Sequence, residues 1–196
     1  RLQQIMRRTG DKVLLITSTI PAEGKTMTAV NMALAFAQEG MKVALLDGDL
    51  RKPSVCELMK LPEGPGLTEY FRGESTPEEI QVVKDGVTFF RAGQKKGKVS
   101  GLIDEEKMNS LLEKLRKEYD VILMDVMMPN IDGLEATRII RGQKRADART
   151  IGIVALSVNV FAEDVQRTRA AGMNEQLTKP LNTEKMLRTI ARYRRC

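Results

Sequence analysis

The sequence predicts an α/β protein built on a single doubly wound parallel sheet with helices on both faces. Short segments rich in β-branched residues alternate with longer segments whose apolar residues recur at helical spacing, which is the order that a parallel sheet with covering helices requires. The chain has 196 residues, of which 42% are hydrophobic, enough for one good core or two small ones. No low-complexity linker or internal repeat interrupts it, so we expect one composite domain over residues 1–196.

Each element has its own local signal. Gly40 stands where a helix that starts after the first strand needs a left-handed residue, and Asn182 or Thr183 is a suitable cap for the last helix. Pro and Gly interrupt the stretch 53–85, where we expect only short helical pieces at 67–72 and 77–83. The predicted strands are 13–17, 43–46, 87–91, 121–124, 151–156 and 175–178. The longer predicted helices are 30–37, 108–115, 134–141, 161–171 and 183–193.

The composition narrows the possible functions. The absence of histidine excludes histidine-based phosphotransfer within this chain and removes the usual zinc ligand. The net charge of +6 comes from basic residues interspersed with acidic ones, and base-stacking aromatics are few, so we do not expect a nucleic-acid partner. No apolar run reaches the length of a membrane span, and two cysteines suit a reducing compartment. We therefore expect a cytoplasmic protein; the oligomeric state stays open.

A phosphate-binding loop is predicted directly after the first strand. Residues 18–26 read Ser-Thr-Ile-Pro-Ala-Glu-Gly-Lys-Thr, which fits G-x-x-x-x-G-K-S/T except that Thr19 replaces the first glycine. Backbone N–H groups and the helix N-terminus would surround phosphates, Lys25 would reach the β- and γ-phosphates, and the Thr26 hydroxyl would bind Mg²⁺. The predicted nucleotide-binding residues are Pro21, Ala22, Glu23, Gly24, Lys25 and Thr26.

Two carboxylates follow the second strand. Asp47 and Asp49 are one residue apart, so in an extended chain they point to the same side, where they can hold a magnesium–water shell or accept a proton. Together with the phosphate loop they predict a site for Mg²⁺ with ATP or ADP.

From Lys12 to Asp125 the chain resembles the bacterial tyrosine kinases of the P-loop class that regulate polysaccharide export. The resemblance rests on residues 21–26, on Leu-Asp-Gly-Asp-Leu-Arg-Lys-Pro at 46–53, on 66–73 and on Tyr-Asp-Val-Ile-Leu-Met-Asp at 119–125. It implies that Asp47 and Asp49 belong to a second Walker-type motif and that Asp125 ends the Walker B strand. The implied catalytic residues are Asp47, Asp49 and Asp125, and the implied metal ligands are Thr26, Asp47 and Asp125.

From Tyr119 onward the chain also resembles the receiver domain of response regulators. The motifs are 119–137, Ile-Val-Ala-Leu-Ser at 153–157, Ala-Ala-Gly-Met-Asn at 170–174 and Leu-Thr-Lys-Pro at 177–180. This second resemblance implies a phosphoacceptor, Asp125, with the Ser157 hydroxyl and the Lys179 ammonium contacting the phosphoryl group. The acidic pair that receivers carry after their first strand is missing here, because that strand leads into the phosphate loop.

The two resemblances meet at Asp125 and indicate an engineered or recombined chimera, with residues 1–125 derived from a P-loop protein and 126–196 from a receiver. We expect the P-loop parent's strand order, which places strand 121–124 between 13–17 and 43–46, with 151–156 and 175–178 added beyond 13–17. Four functions stay open: nucleotide binding with little or no turnover, an ATP-dependent tyrosine autokinase, a phosphoaccepting receiver, and a folded chimera without a ligand.

Overall fold

The computed structural model describes residues 12–18, 24–94, 102–127, 133–144, 146, 148–157, 162–180 and 182–193. The described residues divide into two compact units, one within 12–127 and the other within 128–196. Each unit is described separately below. Among the described helices, none has the length and apolar character that a bilayer crossing demands.

Residues 12–127 form a five-stranded, mostly parallel sheet. Its strands are β1 (Val13–Ser18), β2 (Val43–Asp47), β3 (Gln81–Lys84), β4 (Val87–Phe90) and β5 (Val121–Met127), in the spatial order β1-β5-β2-β4-β3. β5 pairs in parallel with both β1 and β2, so that Asp125 lies beside Ile16 on one side and Asp47 on the other. The predicted position of this strand between the first two is confirmed.

The hairpin of β3 and β4 corrects a sequence-based prediction. Residues 77–83 were expected to be helical, but β3 occupies 81–84 and pairs antiparallel with β4. Asp85 and Gly86 join the two strands with φ angles of 49° and 78°. Positive φ at both central residues defines the two-residue turn whose twist matches the flanking strands, and Asp-Gly is a preferred sequence for it. The β-branched pair Val82-Val83 then suits the strand better than a helix.

The described part of this unit contains the helices α1 (Lys25–Gln38), α2 (Val55–Met59), α3 (Leu67–Arg72) and α4 (Glu105–Glu118). α1 packs on β1, β2, β4 and β5. Ala44 and Leu46 of β2 belong to a core cluster that includes Leu111 and Leu115 of α4. Because side chains alternate along a strand, Val43 and Leu45 point to the opposite side of the sheet, and all five residues of β2 are buried. Such burial on both faces is typical of a parallel strand covered by two helical layers.

Local signals fix the ends of these helices. Asp104 caps α4, since its carboxylate accepts a hydrogen bond of 2.8 Å from the Lys107 N–H. Gly40, just after α1, has φ 76°, the left-handed conformation expected at that position.

The second unit contains a parallel pair, β6 (Val154–Ser157) and β7 (Glu175–Thr178), with α5 (Gly133–Gly142), α6 (Ala162–Ala170) and α7 (Thr183–Tyr193). Arg141 of α5 ties this unit together by donating to the carbonyl oxygens of Gly172 and Ala148 and to Oδ1 of Asn174. Asn182 caps α7 as predicted, through a 2.9 Å bond from the Lys185 N–H.

The placement of β6 and β7 differs from the expectation. They were predicted to extend the larger sheet beyond β1, whereas among the described residues they pair with each other in a two-stranded sheet. A helical crossover, α6, connects them, as parallel neighbours require. Sequence patterns identify a strand, but its neighbour depends on contacts that those patterns do not encode. The α/β class and the mostly parallel central sheet are confirmed.

Candidate functional site

The carboxyl ends of β1, β5 and β2 bring together the charged residues that the sequence singled out. α1 begins at Lys25, preceded by Gly24 with φ 78°. This left-handed conformation is one that glycine adopts without a steric penalty. Pro21, Ala22 and Glu23 lie outside the described residues, so the structure describes the predicted loop at Gly24, Lys25 and Thr26.

Lys25 is the cation of the site. Its Nζ lies 2.8 Å from Asp125 Oδ1 and 3.3 Å from Asp49 Oδ2, and its side chain is 8% exposed. The contact with Asp49 is also a hydrogen bond, whereas the contact with Asp125 is an ion pair without hydrogen-bond alignment. One buried ammonium therefore bridges a carboxylate from β5 and one from the segment after β2.

Thr26 provides a hydroxyl between the same elements. Its Oγ1 donates a 2.7 Å hydrogen bond to Asp125 Oδ2 and lies 2.9 Å from the hydroxyl oxygen of Ser54. Asp125 thus has Lys25 at one oxygen and Thr26 at the other. Ser54 was not predicted as a site residue. The sequence signal that could have identified it is a serine just before a short helix, one residue after the motif at 46–53.

Asp47 is completely buried and carries an unusual pKa. The pKa of its carboxyl is raised from 3.8 to about 7. Burial is the largest cause and the nearby Asp125 and Asp49 act in the same direction, while the hydrogen bond from the Val55 N–H and the charge of Lys25 act against them. The Val55 bond is 3.1 Å long and reaches Oδ2. Asp47 and Asp125 are paired positions on adjacent strands, which explains the repulsion.

Gly48 closes the space between β2 and β5. Its N–H donates a 2.8 Å bond to the carbonyl oxygen of Asp125. A Cβ at this position would lie 3.0 Å from that same oxygen and 3.0 Å from Cγ2 of Val126. A larger residue would therefore push the segment that carries Asp49 away from β5. The tight approach keeps the carboxylates of Asp49 and Asp125 within reach of one ammonium.

The residues present fit a magnesium-bound nucleotide. Oδ1 of Asp47 is buried and has no hydrogen-bond partner in the described part of the chain, and the buried Oδ1 of Asp125 has only its ion pair with Lys25 there. Within that part, no three His, Cys, Asp or Glu side chains form a metal-holding group. Mg²⁺ usually takes one or two protein ligands together with phosphate oxygens and water, so the Thr26 hydroxyl and these carboxylate oxygens are sufficient for it.

The predicted site residues fall into two groups. Lys25, Thr26, Asp47, Asp49 and Asp125 lie together within the unit of residues 12–127. The other two phosphoacceptor candidates belong to the second unit. Ser157 is the last residue of β6, and Lys179 directly follows β7; the register pairs Ser157 with Thr178, so both positions lie at the carboxyl edge of that small sheet.

Comparison with known proteins gives two sets of relatives. The sequence model of the response regulator receiver domain matches residues 79–191, more than half of the chain. This match begins upstream of Tyr119, where the sequence motifs placed its start. Tyrosine-protein kinase CpsD of Streptococcus pneumoniae is 34% identical in an alignment of 124 residues, with 58% of this chain and 52% of the relative covered. Tyrosine-protein kinase YwqD of Bacillus subtilis is 34% identical over 116 residues, 58% of this chain and 49% of the relative. Both predicted resemblances are confirmed.

Solved structures with a similar fold include nucleotide-binding proteins. The kinase domain of Escherichia coli tyrosine kinase ETK has a TM-score of 0.64 and 24% identity, covering 93% of this chain and 74% of that one. MinD of Pyrococcus horikoshii complexed with Mg-ADP has a TM-score of 0.56 and 19% identity, with 84% and 67% covered. At these identities the likeness shows the fold alone. The chain spans about half the length of the curated kinases it matches.

Proposed function

The chain belongs to the family of response regulator receiver domains through residues 79–191. We propose that it is a recombined or engineered α/β protein whose buried charged site binds the phosphates of Mg-ATP or Mg-ADP with little or no turnover. The single composite domain over residues 1–196 is part of this proposal. The observation that carries it is the meeting of Lys25, Thr26 and Asp125 at the carboxyl ends of β1 and β5.

Each residue has a distinct task. Phosphate oxygens would replace carboxylates as partners of the Lys25 ammonium, and the Thr26 hydroxyl would be a ligand of the cation. Asp125 would hold Thr26 in place through the 2.7 Å bond. Asp47 and Asp49 would accept hydrogen bonds from water molecules around the cation, and the positive charge would offset their mutual repulsion. When bound, Mg²⁺ supplies charge neutralisation to the phosphates.

Affinity should come from the phosphates rather than from the base. The resemblance to the kinases ends at Asp125, and we expect that the receiver-like sequence after it replaces the segment with which the parent would contact the adenine. ATP and GTP should therefore bind with similar affinity, because both present the same triphosphate to Lys25 and Thr26.

Calorimetry tests the proposal directly. We expect heat on titration of Mg-ADP, Mg-ATP and Mg-GTP into the unaltered protein and none with Lys25→Ala. Lys117→Ala is the matched control: it removes an exposed lysine from the last turn of α4, just before β5 begins, whereas the site lies at the other end of that strand. Equal heats from the unaltered protein and Lys25→Ala, or no heat from either, would overturn the proposal.

A tyrosine autokinase is the activity that the relatives' names suggest. Tyr70 donates to the backbone oxygen of Lys107 and is partly buried, and Tyr119 packs edge-on against Phe90. These contacts compete with access to a phosphoryl donor, so we expect no label on Tyr70, Tyr119 or Tyr193 after incubation with γ-labelled ATP. Label on any of them at a rate comparable to nucleotide exchange would contradict the absence of turnover.

Family membership favours a second candidate function, that of a phosphoaccepting receiver. Asp125 would take a phosphoryl group from acetyl phosphate, with an oxygen–phosphorus bond formed at the carboxylate and acetate leaving. Ser157 and Lys179, the other two residues that the receiver resemblance implies, lie at one edge of the small sheet in the second unit. Incubation with acetyl phosphate and Mg²⁺ followed by mass spectrometry tests it: an added phosphoryl group that Asp125→Asn abolishes supports the receiver, and an unchanged mass excludes it.

A further inference from the structure

Ser54 occupies a helix-capping position but does not use its side chain as a cap. Its backbone oxygen accepts the first helical bond of α2, from the Leu58 N–H at 3.0 Å, yet its hydroxyl makes no capping hydrogen bond. A serine at this position usually accepts a bond from an N–H of the first helical turn. The hydroxyl instead lies 2.9 Å from Thr26 Oγ1. A departure from such a local rule is expected where a residue has a functional task.

The direction of this bond follows from the number of protons. A threonine hydroxyl has one proton, and Thr26 uses it on Asp125 Oδ2, because a carboxylate can only accept. Ser54 is therefore the donor in the bond to Thr26. Thr26 Oγ1 then donates one hydrogen bond to Asp125 of β5 and accepts one from Ser54, so one of its lone pairs is left for a cation. Because the two hydrogen bonds fix the orientation of the hydroxyl, they also fix the direction of this lone pair.

The next residue contacts the other side of the site. The Val55 N–H donates to Asp47 Oδ2 at 3.1 Å, and Val55 itself is 1% exposed. Two consecutive residues at the start of α2 thus hold the phosphate-loop hydroxyl and the buried carboxylate of β2. The side chain of Val55 anchors this turn in the core, which gives the Ser54 hydroxyl a defined position.

We propose that Ser54 is a positioning residue for the magnesium ion of the bound nucleotide, acting through its hydrogen bond to Thr26. This inference rests on the proposed nucleotide binding and adds to it the residue that orients the threonine ligand. Groups that orient metal ligands typically change metal affinity by about tenfold or more when removed. Ser54 contacts no phosphate in this assignment, so it affects affinity only when Mg²⁺ is present.

The test compares ADP affinity with Mg²⁺ and with EDTA, by calorimetry, in the unaltered protein and two variants. Ser54→Ala should lose about tenfold in affinity for Mg-ADP and change by less than about twofold in EDTA. Ser54→Thr retains the hydroxyl donor and should restore most of the loss. Ser110→Ala, the same change on α4, is the matched control and should behave as the unaltered protein.

The possible outcomes separate the two proposals. Absence of Mg-ADP binding by the unaltered protein overturns nucleotide binding and the role of Ser54 with it. Binding that is equally strong in the unaltered protein and in Ser54→Ala overturns the role of Ser54 alone. A loss in Ser54→Ala that is the same with Mg²⁺ and with EDTA also overturns it, since the residue would then support the loop and not the cation. Thermal denaturation of each variant without nucleotide verifies that it is folded.

Discussion

Replacing Asp47 by asparagine should stabilise the protein at alkaline pH. The carboxyl is fully buried, and burial, with repulsion from Asp125 and Asp49, raises its pKa from 3.8 to about 7. A buried carboxyl with a raised pKa favours the folded state while it is protonated and opposes it once it is ionised. Asparagine keeps an oxygen to accept the 3.1 Å bond from the Val55 N–H but carries no charge.

The magnitude follows from the two pKa values. Below pH 3.8 the carboxyl is protonated in both folded and unfolded chains, so its contribution to stability is fully present there. As pH rises from 3.8 to about 7, only the unfolded chain loses the proton, and the stability falls; above about 7 the loss is complete. Each pKa unit corresponds to about 1.4 kcal/mol, so the whole window corresponds to about 4 kcal/mol. If the new amide N–H₂ of Asp47→Asn has no hydrogen-bond partner, it would lower the free energy of unfolding of the variant by about 1–3 kcal/mol at every pH.

Urea denaturation in EDTA at about pH 4 and about pH 8 measures this difference. The free energy of unfolding of Asp47→Asn, relative to the unaltered protein, should rise by up to about 4 kcal/mol between the two pH values. Glu113→Gln, which neutralises an exposed carboxyl on α4, is the control and should show no such rise. If the stability of Asp47→Asn relative to the unaltered protein is the same at both pH values, or is lower at about pH 8 than at about pH 4, the raised pKa of Asp47 is refuted.

Two further predictions concern stability. Lys25→Met should lower the free energy of unfolding at neutral pH by about 3 kcal/mol, because it leaves the buried carboxylates of Asp125 and Asp49 without their cation. The control Lys117→Met should change the free energy of unfolding by less than about 0.5 kcal/mol. Equal losses of stability in the two variants would contradict a stabilising role for the Lys25 ion pairs. Leu111→Ala should cost about 3 kcal/mol in chemical denaturation, since Leu111 is 1% exposed in the core cluster. A loss below about 1 kcal/mol would mean that α4 does not pack as described.

Much of the fold could be predicted because it depends on local patterns. The apolar runs of β1, β2 and β5, the helical spacing before Gly40, and the cap of α7 are all determined by residues close in sequence. β3 shows the opposite case. Its pattern is short and lies partly in the stretch 77–83 that was expected to be helical. The Asp85-Gly86 turn was the signal that identifies the hairpin.

Non-local features could not be predicted with the same success. That β6 and β7, among the described residues, pair with each other in a two-stranded sheet depends on which strand edges meet in space. At the site, motif spacing identified Lys25, Thr26 and the aspartates. It did not reveal that the Lys25 ammonium lies 2.8 Å from Asp125, a residue 100 positions later. Ser54 was missed for the same reason, since its contact with Thr26 bridges 28 residues and belongs to no motif.

A crystal structure of the protein soaked with Mg-ADP tests the central claim most directly. We expect phosphate oxygens within hydrogen-bond distance of Lys25 Nζ, a cation on Thr26 Oγ1, and Ser54 still hydrogen-bonded to that threonine. Phosphates bound elsewhere on the protein, or crystals without nucleotide at saturating Mg-ADP, would contradict it.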